Sequence, residues 1–281
     1  MAIKNSTTFK LHLRIRPEKG MQFVDFRELK QYKDLFYFFV VRDIKVKYKQ
    51  TVLGGLWAII QPLCTMVVFT LFFGNLAKMP SDGIPYPIFS FSALVAWTYF
   101  ANAINAAGNS LVGNAGLISK IYFPRLIIPL TPVLAGLLDF AIALVFLIGM
   151  MIYYNIYPTA MIFALPLLIL LMMLTATGFG ALLAALNAKY RDVRYAIPFL
   201  IQLWMFASPI VYPASLVPEK YRILYALNPM TGVIEGFRSA LLGNTRFPTD
   251  MVLIAAGISI FIFILGIAYF RQTESDFADI I

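Results

Sequence analysis

LIIPLTPVLAGLLDFAIALVFLIGMMIY, residues Leu126–Tyr153, runs for 28 residues with a single charged side chain, Asp139. A helix of about 20 apolar residues crosses the hydrocarbon of a bilayer, so this run is long enough to span. Lipid offers no hydrogen bonds to an open backbone, and that makes the span helical. Five further apolar runs have the same character: Gly55–Leu76, Pro87–Leu111, Ala160–Leu186, Ala196–Val211 and Met251–Phe270. Asn102, Asn105, Asn109 and Ser110 crowd the end of the second run in chain order, and Ala196–Val211 is short for a crossing. The fold class expected is therefore all-α integral membrane with six transmembrane helices.

Composition supports this. The chain has 281 residues, 60% of them apolar and 13% charged, against about 25% charged in soluble domains. Mean hydropathy is +0.77. One cysteine, Cys64, excludes an intrachain disulfide, and with the lone His12 leaves no material for a Cys/His metal site. The net charge of +9 does not indicate nucleic acid, because the charges fall between the apolar runs. Lysine and arginine mark cytoplasmic connections. With the N-terminus inside, 18 of the 23 Lys and Arg lie on the cytoplasmic side and 5 outside. Both termini are thus expected in the cytoplasm, and an even number of spans agrees. The first ~55 residues are polar and basic, without the order of a signal peptide, so the first run is expected to serve as an uncleaved insertion signal. The chain reads as one domain, 1–281: a cytoplasmic segment 1–54, a membrane domain 55–270 and a tail 271–281.

Three connecting segments carry shape. Phe26, Leu29, Tyr32, Lys33, Phe36, Phe39 and Val40 suit an amphipathic helix on the membrane surface, followed by Arg42, Lys45, Lys47 and Lys49. The alternation in Ile44–Lys49 also fits a strand, but the helical setting on both sides favours a helix. Its basic side would meet anionic headgroups or a cytoplasmic partner. Gly113–Arg125 is compact and poor in charge, unlike the basic turn Asn187–Tyr195, so it reads as a docking element rather than a plain loop. The external segment 212–250 is too apolar for a solvated loop. Pro218 begins one short helix, and Asn228-Pro229 restarts the chain as N-cap and first-turn proline. The second helix ends at Leu242 with Gly243 as left-handed cap. A re-entrant hairpin in the outer leaflet is expected, with a cap lying on the surface as the alternative.

Chemistry is mostly missing. There is no G-x-x-x-x-G-K-[ST], no H-E-x-x-H, no G-x-S-x-G and no intramembrane carboxylate pair. The chain is not expected to be an enzyme, and any transport energy must come from elsewhere. Ion-coupled carriers hold charged relays in the membrane; only Asp139 is a candidate, either lining a pathway or packed with a hydrogen bond. Phe69, Phe72, Phe73, Phe89 and Phe91 cluster near the outer ends of the first two spans. Aromatic faces stack on sugar rings, so these are candidate channel lining, though they could equally face lipid.

Arg42-Asp43-Ile44-Lys45-Val46-Lys47-Tyr48-Lys49-Gln50-Thr51-Val52-Leu53-Gly54, then Leu56-Trp57-Ala58 and Gln61-Pro62-Leu63, resembles the entry to the first span of ABC-2 type permeases. The likeness is greatest to permeases exporting O-antigen, capsule and teichoic acid. Tyr122-Phe123-Pro124-Arg125, Tyr190-Arg191-Asp192-Val193 and Leu227-Asn228-Pro229-Met230 match further landmarks in order. The resemblance covers nearly the whole chain. It implies a homodimer around a channel in the inner membrane, with two copies of a separate ABC ATPase subunit that binds ATP and Mg. No cofactor is expected in this chain. It implies a coupling helix over Gly113–Phe123 with Asn114, Leu117, Ile118, Lys120 and Tyr122. It also implies an interface helix with Arg42, Lys45, Lys47 and Lys49, and an external gate with Pro218, Asn228, Pro229, Glu235, Phe237 and Arg238. The substrate implied is a lipid-linked polysaccharide, with O-antigen on an undecaprenyl lipid the first choice. The rivals are an ABC-2 permease for a drug or lipid, a stand-alone secondary transporter, which would need relays and inverted repeats, and a glycan-processing enzyme, which would need paired carboxylates.

Overall fold

The computed structural model describes residues 30–49, 51, 53–243 and 246–277. Phe26 and Leu29 of the expected amphipathic stretch lie outside them. Among the described residues all regular structure is helical. Five helices are long and apolar enough to cross a membrane: α2 (Gly54–Leu76), α3 (Tyr86–Gly113), α5 (Ile127–Tyr153), α6 (Ala160–Lys189) and α10 (Thr249–Thr273). Around them stand α1 (Lys33–Lys49), the one-turn α4 (Ala115–Ile118), α7 (Val193–Phe206), α8 (Glu219–Ala226) and α9 (Pro229–Leu242).

The sixth expected span comes out shorter. α7 has 14 residues, about 21 Å at 1.5 Å per residue, against a hydrocarbon core of about 30 Å. Pro209 and Pro213 lack the N–H that would continue the ladder, so the helix stops at Phe206. The next residues, Ser208–Val211, run buried but irregular.

α3 is the hub. Of its most apolar window 78% is buried, against 11% for α2. It packs against α5, α6, α7 and α9, and Phe89, Phe91, Phe100 and Ile104 fill the space between them. α2 lies at the periphery. It begins with a tight 3₁₀ turn and widens into a π turn over Thr70–Leu76. There Gly74 sits so close to Tyr86 that a Cβ would approach the ring to 2.9 Å.

α6 and α10 make the closest contact in the bundle. A Cβ on Gly178 would lie 2.6 Å from the Ile262 carbonyl oxygen, and one on Gly266 would strike the Gly178 carbonyl. Small residues permit such backbone approach in membrane bundles, where van der Waals packing replaces the hydrophobic effect. Thr175 donates to Ser259 across the same seam at 2.8 Å.

Two cores result. The larger fills the bundle; the smaller, where α1, α4 and the end of α10 meet, joins Phe39, Ile118, Phe123, Phe270 and Phe277. Phe39 meets Phe123 edge-on at 5.7 Å, and Phe270 meets Phe277 at 5.3 Å. The start of the tail is thus folded into the bundle. Glu274 accepts from the Arg125 backbone N–H at 3.2 Å and from Arg271 at 2.9 Å.

Candidate functional site

The N-terminal helix forms over Lys33–Lys49, within the stretch its pattern marks. α1 runs alongside the first half of α5: Phe39 touches Phe123 near the start of that span, and Lys47 and Tyr48 reach Asp139, 12 residues beyond Ile127. Lys47 Nζ forms an ion pair with Asp139 Oδ2, and the Tyr48 hydroxyl donates to Asp139 Oδ1. The acid without an evident partner in the sequence therefore has two, contributed from 91 and 92 residues away. Arg42 bonds the adjacent Asp43 at 2.8 Å and lies 4.8 Å from the centre of the Phe39 ring. Lys45 and Lys49 are exposed.

The expected docking element contains one helical turn, α4. Asn114 precedes it and donates from Nδ2 to the Ser110 carbonyl at 2.8 Å. Leu117 is half-buried and Ile118 is buried in the smaller core. The outward side chains are Lys120, Ile121 and Tyr122, the last 81% exposed. α4 and the basic turn 187–195 share a cavity of about 290 Å³ lined by Val112, Ala115, Asn187, Arg191, Arg194 and Tyr195. The two connecting segments thus make one composite surface.

The external hairpin has the local geometry read from its residues. Gly243 adopts φ +70°, the left-handed conformation expected of it. Asn228 caps α9 by accepting from Met230 N at 3.0 Å and also accepts from Trp204 Nε1 at 2.9 Å. Its Nδ2 donates to Ala207 O and Ser208 Oγ. One amide thus joins the end of α7 to the start of α9. Every residue of α9, Pro229 and Phe237 included, is buried. Glu235 and Arg238 pair within it at 2.8 Å; Arg238 Nη2 donates to Pro209 O and Glu235 accepts from Ala214 N. α8 contrasts with it: Pro218 precedes it, and Tyr221, Ile223 and Leu224 are exposed.

The aromatic set divides. Phe89 and Phe91 are 0% exposed, enclosed by the chain's own side chains; they line no open surface of this chain. Phe69 is buried, with Phe73 edge-on at 5.6 Å, and Phe72 is exposed. What α3 exposes, beside Ala106 and Val112, is a polar stripe. Asn102 and Asn105 are exposed, and Thr98 and Asn109 are half-exposed. Their spacing of four, three and four residues places them on one helix face. Asn109 donates to Asn105 and accepts from Asn187 Nδ2. Beside the stripe is a crevice of about 70 Å³ lined by Lys47, Trp57, Gln61, Thr98, Asn102 and Asp139. The asparagines were visible in the sequence as blemishes in a span; their helical spacing was the signal that they form a face.

Helices long and apolar enough to cross a membrane, with shorter helices packed between them, define a polytopic membrane protein. The chain belongs to the ABC-2 type transporter family, whose model matches residues 34–242. It is similar to the O-antigen export system permease protein RfbA of Myxococcus xanthus, 28% identical over 257 residues that cover 90% of this chain and 97% of that protein. The Klebsiella pneumoniae protein of the same name is 26% identical over 250 residues, 88% and 95% of the two chains. The polysialic acid transport protein KpsM of Escherichia coli is 23% identical over 239 residues, 83% and 91% of the two chains.

Proposed function

We propose that this chain is the membrane-spanning subunit of an ATP-driven exporter of a lipid-linked polysaccharide, with O-antigen the first candidate. The observation that carries this is the end-to-end similarity to export permeases, covering 90% of this chain and 97% of the Myxococcus protein. The composite cytoplasmic surface supports a soluble partner. In this reading two ABC ATPase subunits bind ATP and Mg and dock at Lys120–Tyr122 and the 187–195 turn. Two copies of this chain pair in the inner membrane with their termini in the cytoplasm. Six crossings result if α7 and residues 207–211, buried from Ser208 on, traverse together, and α8–α9 form the re-entrant external gate. α1 acts as the interface helix, and its link to Asp139 carries movement at the cytoplasmic face into the third crossing.

The test is expression of the chain with and without its ATPase partner in cells lacking their own exporter, reading surface polysaccharide and ATP turnover. Surface polysaccharide should require both proteins. Export driven by an ion gradient with this chain alone would overturn the reading.

A further inference from the structure

The membrane-facing sides of the other spans are apolar: Val145, Ile152, Phe261 and Leu265 are all at least half exposed. The face that α3 leaves open carries instead a stripe of three neutral amides and a hydroxyl, interrupted by Ala106. An amide in hydrocarbon without a hydrogen-bond partner is costly, and polar side chains within membrane segments turn toward protein or a water-filled space. Across from the stripe, α2 contributes Gln61 and the exposed ring of Trp57 to the same crevice. Among the described residues the side chains of Gln61 and Asn102 make no hydrogen bond. Their capacity to donate and accept is therefore open. The two full charges in the crevice wall, Lys47 and Asp139, are paired with each other, so the surface offered carries no net charge. Neutral donors and acceptors in a row beside an indole face suit a chain of sugar hydroxyls. They do not suit an anion, which needs a free cation, nor lipid tails, which satisfy no amide.

We infer that Gln61, Thr98, Asn102 and Asn105 form the hydrophilic wall along which the polysaccharide passes, exchanging hydrogen bonds with its hydroxyls while Trp57 offers a stacking face. This rests on the exporter reading above and names the surface that meets the substrate, in place of the enclosed Phe89 and Phe91.

The test uses the whole assembly in membranes, with Cys64→Ser as background because the native thiol is exposed. Asn102→Cys and Asn105→Cys are compared with Val145→Cys, using a membrane-impermeant methanethiosulfonate during ATP turnover. The first two should label at least about tenfold faster than the third, since the reactive thiolate forms only where water reaches it. Equal rates at all three positions would overturn the inference, as would an Asn102→Cys cross-link between copies in place of labelling, which would mark a protein interface. In a second arm, Asn102→Leu with Asn105→Leu should lower surface polysaccharide by about tenfold or more, each lost hydrogen-bonding amide counting for up to about that factor. The amount and melting temperature of the assembly should not change, and Asn102→Gln, which keeps an amide on the wall, should retain more export than the double leucine variant. Full export by the double leucine variant would also overturn it. Labelling does not depend on the cargo. If deleting the chain left surface polysaccharide intact while the labelling pattern held, the exporter reading alone would fail.

Discussion

Arg238 holds its guanidinium carbon 3.7 Å from the centre of the Phe89 ring, between the buried helix α9 and the hub helix α3. The contact explains why Phe89 is unavailable to a pathway: its face is occupied by a cation that is itself 2% exposed. Arg238 also ties α9 to Glu235 and to the carbonyl of Pro209, so three separate parts of the chain meet at one side chain. Around it α9 is buried along its whole length, while α8 exposes Tyr221, Ile223 and Leu224.

The pair should behave as a buried ion pair does. Glu235→Ala leaves the guanidinium without its counter-charge and should destabilise the protein by about 3–5 kcal/mol. Glu235→Leu combined with Arg238→Met removes both charges and should be close to neutral, because neither desolvation cost remains. Thermal melting of the purified protein in detergent separates these outcomes. Equal losses in the single and double variants would show that the charges are not paired energetically.

Asn228 is the second fastener of this region. It uses both its oxygen and its nitrogen, bonding Met230 N, Trp204 Nε1, Ala207 O and Ser208 Oγ. Loss of an N-cap alone costs about 1 kcal/mol, and each further bond adds about 1. Asn228→Ala should therefore cost about 2–3 kcal/mol, while Asn228→Asp, which keeps the cap and the indole bond but not the two donations, should lose less. Tryptophan emission should shift in both variants as Trp204 loses or changes its partner.

How much of this was legible depended on the range of the interactions. The caps at Asn228, Pro229 and Gly243 are decided within a few residues, and the sequence showed them. The partners of Asp139 lie more than 90 residues away, and nothing in a single sequence links Lys47 to the middle of the third apolar run. The burial of Phe89 and Phe91 is likewise a property of α3 as hub, since an apolar aromatic near a span end reads the same whether it faces lipid, a channel or a neighbouring helix. The contact of Gly178 with Ile262 and Gly266 leaves only two glycines in apolar runs as its trace. The asparagine stripe was present in full, but its meaning required knowing that the opposite face of the helix is packed.

That helix seam gives a prediction with little room for relaxation. Gly266→Ala would place a methyl against the Gly178 carbonyl, with backbone on both sides and no flexible side chain to yield. Overpacking of this kind costs about 1–3 kcal/mol, and more where nothing can move. The same change at Gly149, whose Cβ would meet nothing within 4 Å, should be tolerated. Folded yield and melting temperature should fall for the first and hold for the second.

The ion pair of Lys47 and Asp139 should contribute less. Lys47 is 54% exposed at its side chain and Asp139 15%, so solvent screens one end, and Lys47→Met should cost about 1 kcal/mol. Asp139→Asn keeps an acceptor for the Tyr48 hydroxyl and should melt close to the parent protein. The larger effect is expected in coupling. With the link weakened, ATP turnover in the assembled transporter should continue while surface polysaccharide declines. Reversing the pair, with Lys47→Asp and Asp139→Lys together, should restore part of the loss. Unchanged export in Lys47→Met would show that α1 and α5 are held together by packing alone.

The docking surface requires a different substitution from the one the sequence first suggests. Charge at Leu117 or Ile118 would test docking only if both faced outward, and Ile118 is 7% exposed, within the smaller core beside Phe39 and Phe123. Ile118→Asp should therefore destabilise the fold by about 2–5 kcal/mol, as other losses of buried apolar side chains do, and its loss of partner would follow from that. Ile121, 56% exposed, and Tyr122 lie on the outward side of the same segment. Ile121→Asp with Tyr122→Ala should leave membrane insertion and melting temperature unchanged while abolishing co-purification of the ATPase subunit. Adding Arg191→Glu and Arg194→Glu, which line the cavity shared with α4, should weaken binding without unfolding the chain. An intact complex in all of these variants would place the docking surface elsewhere on the cytoplasmic face.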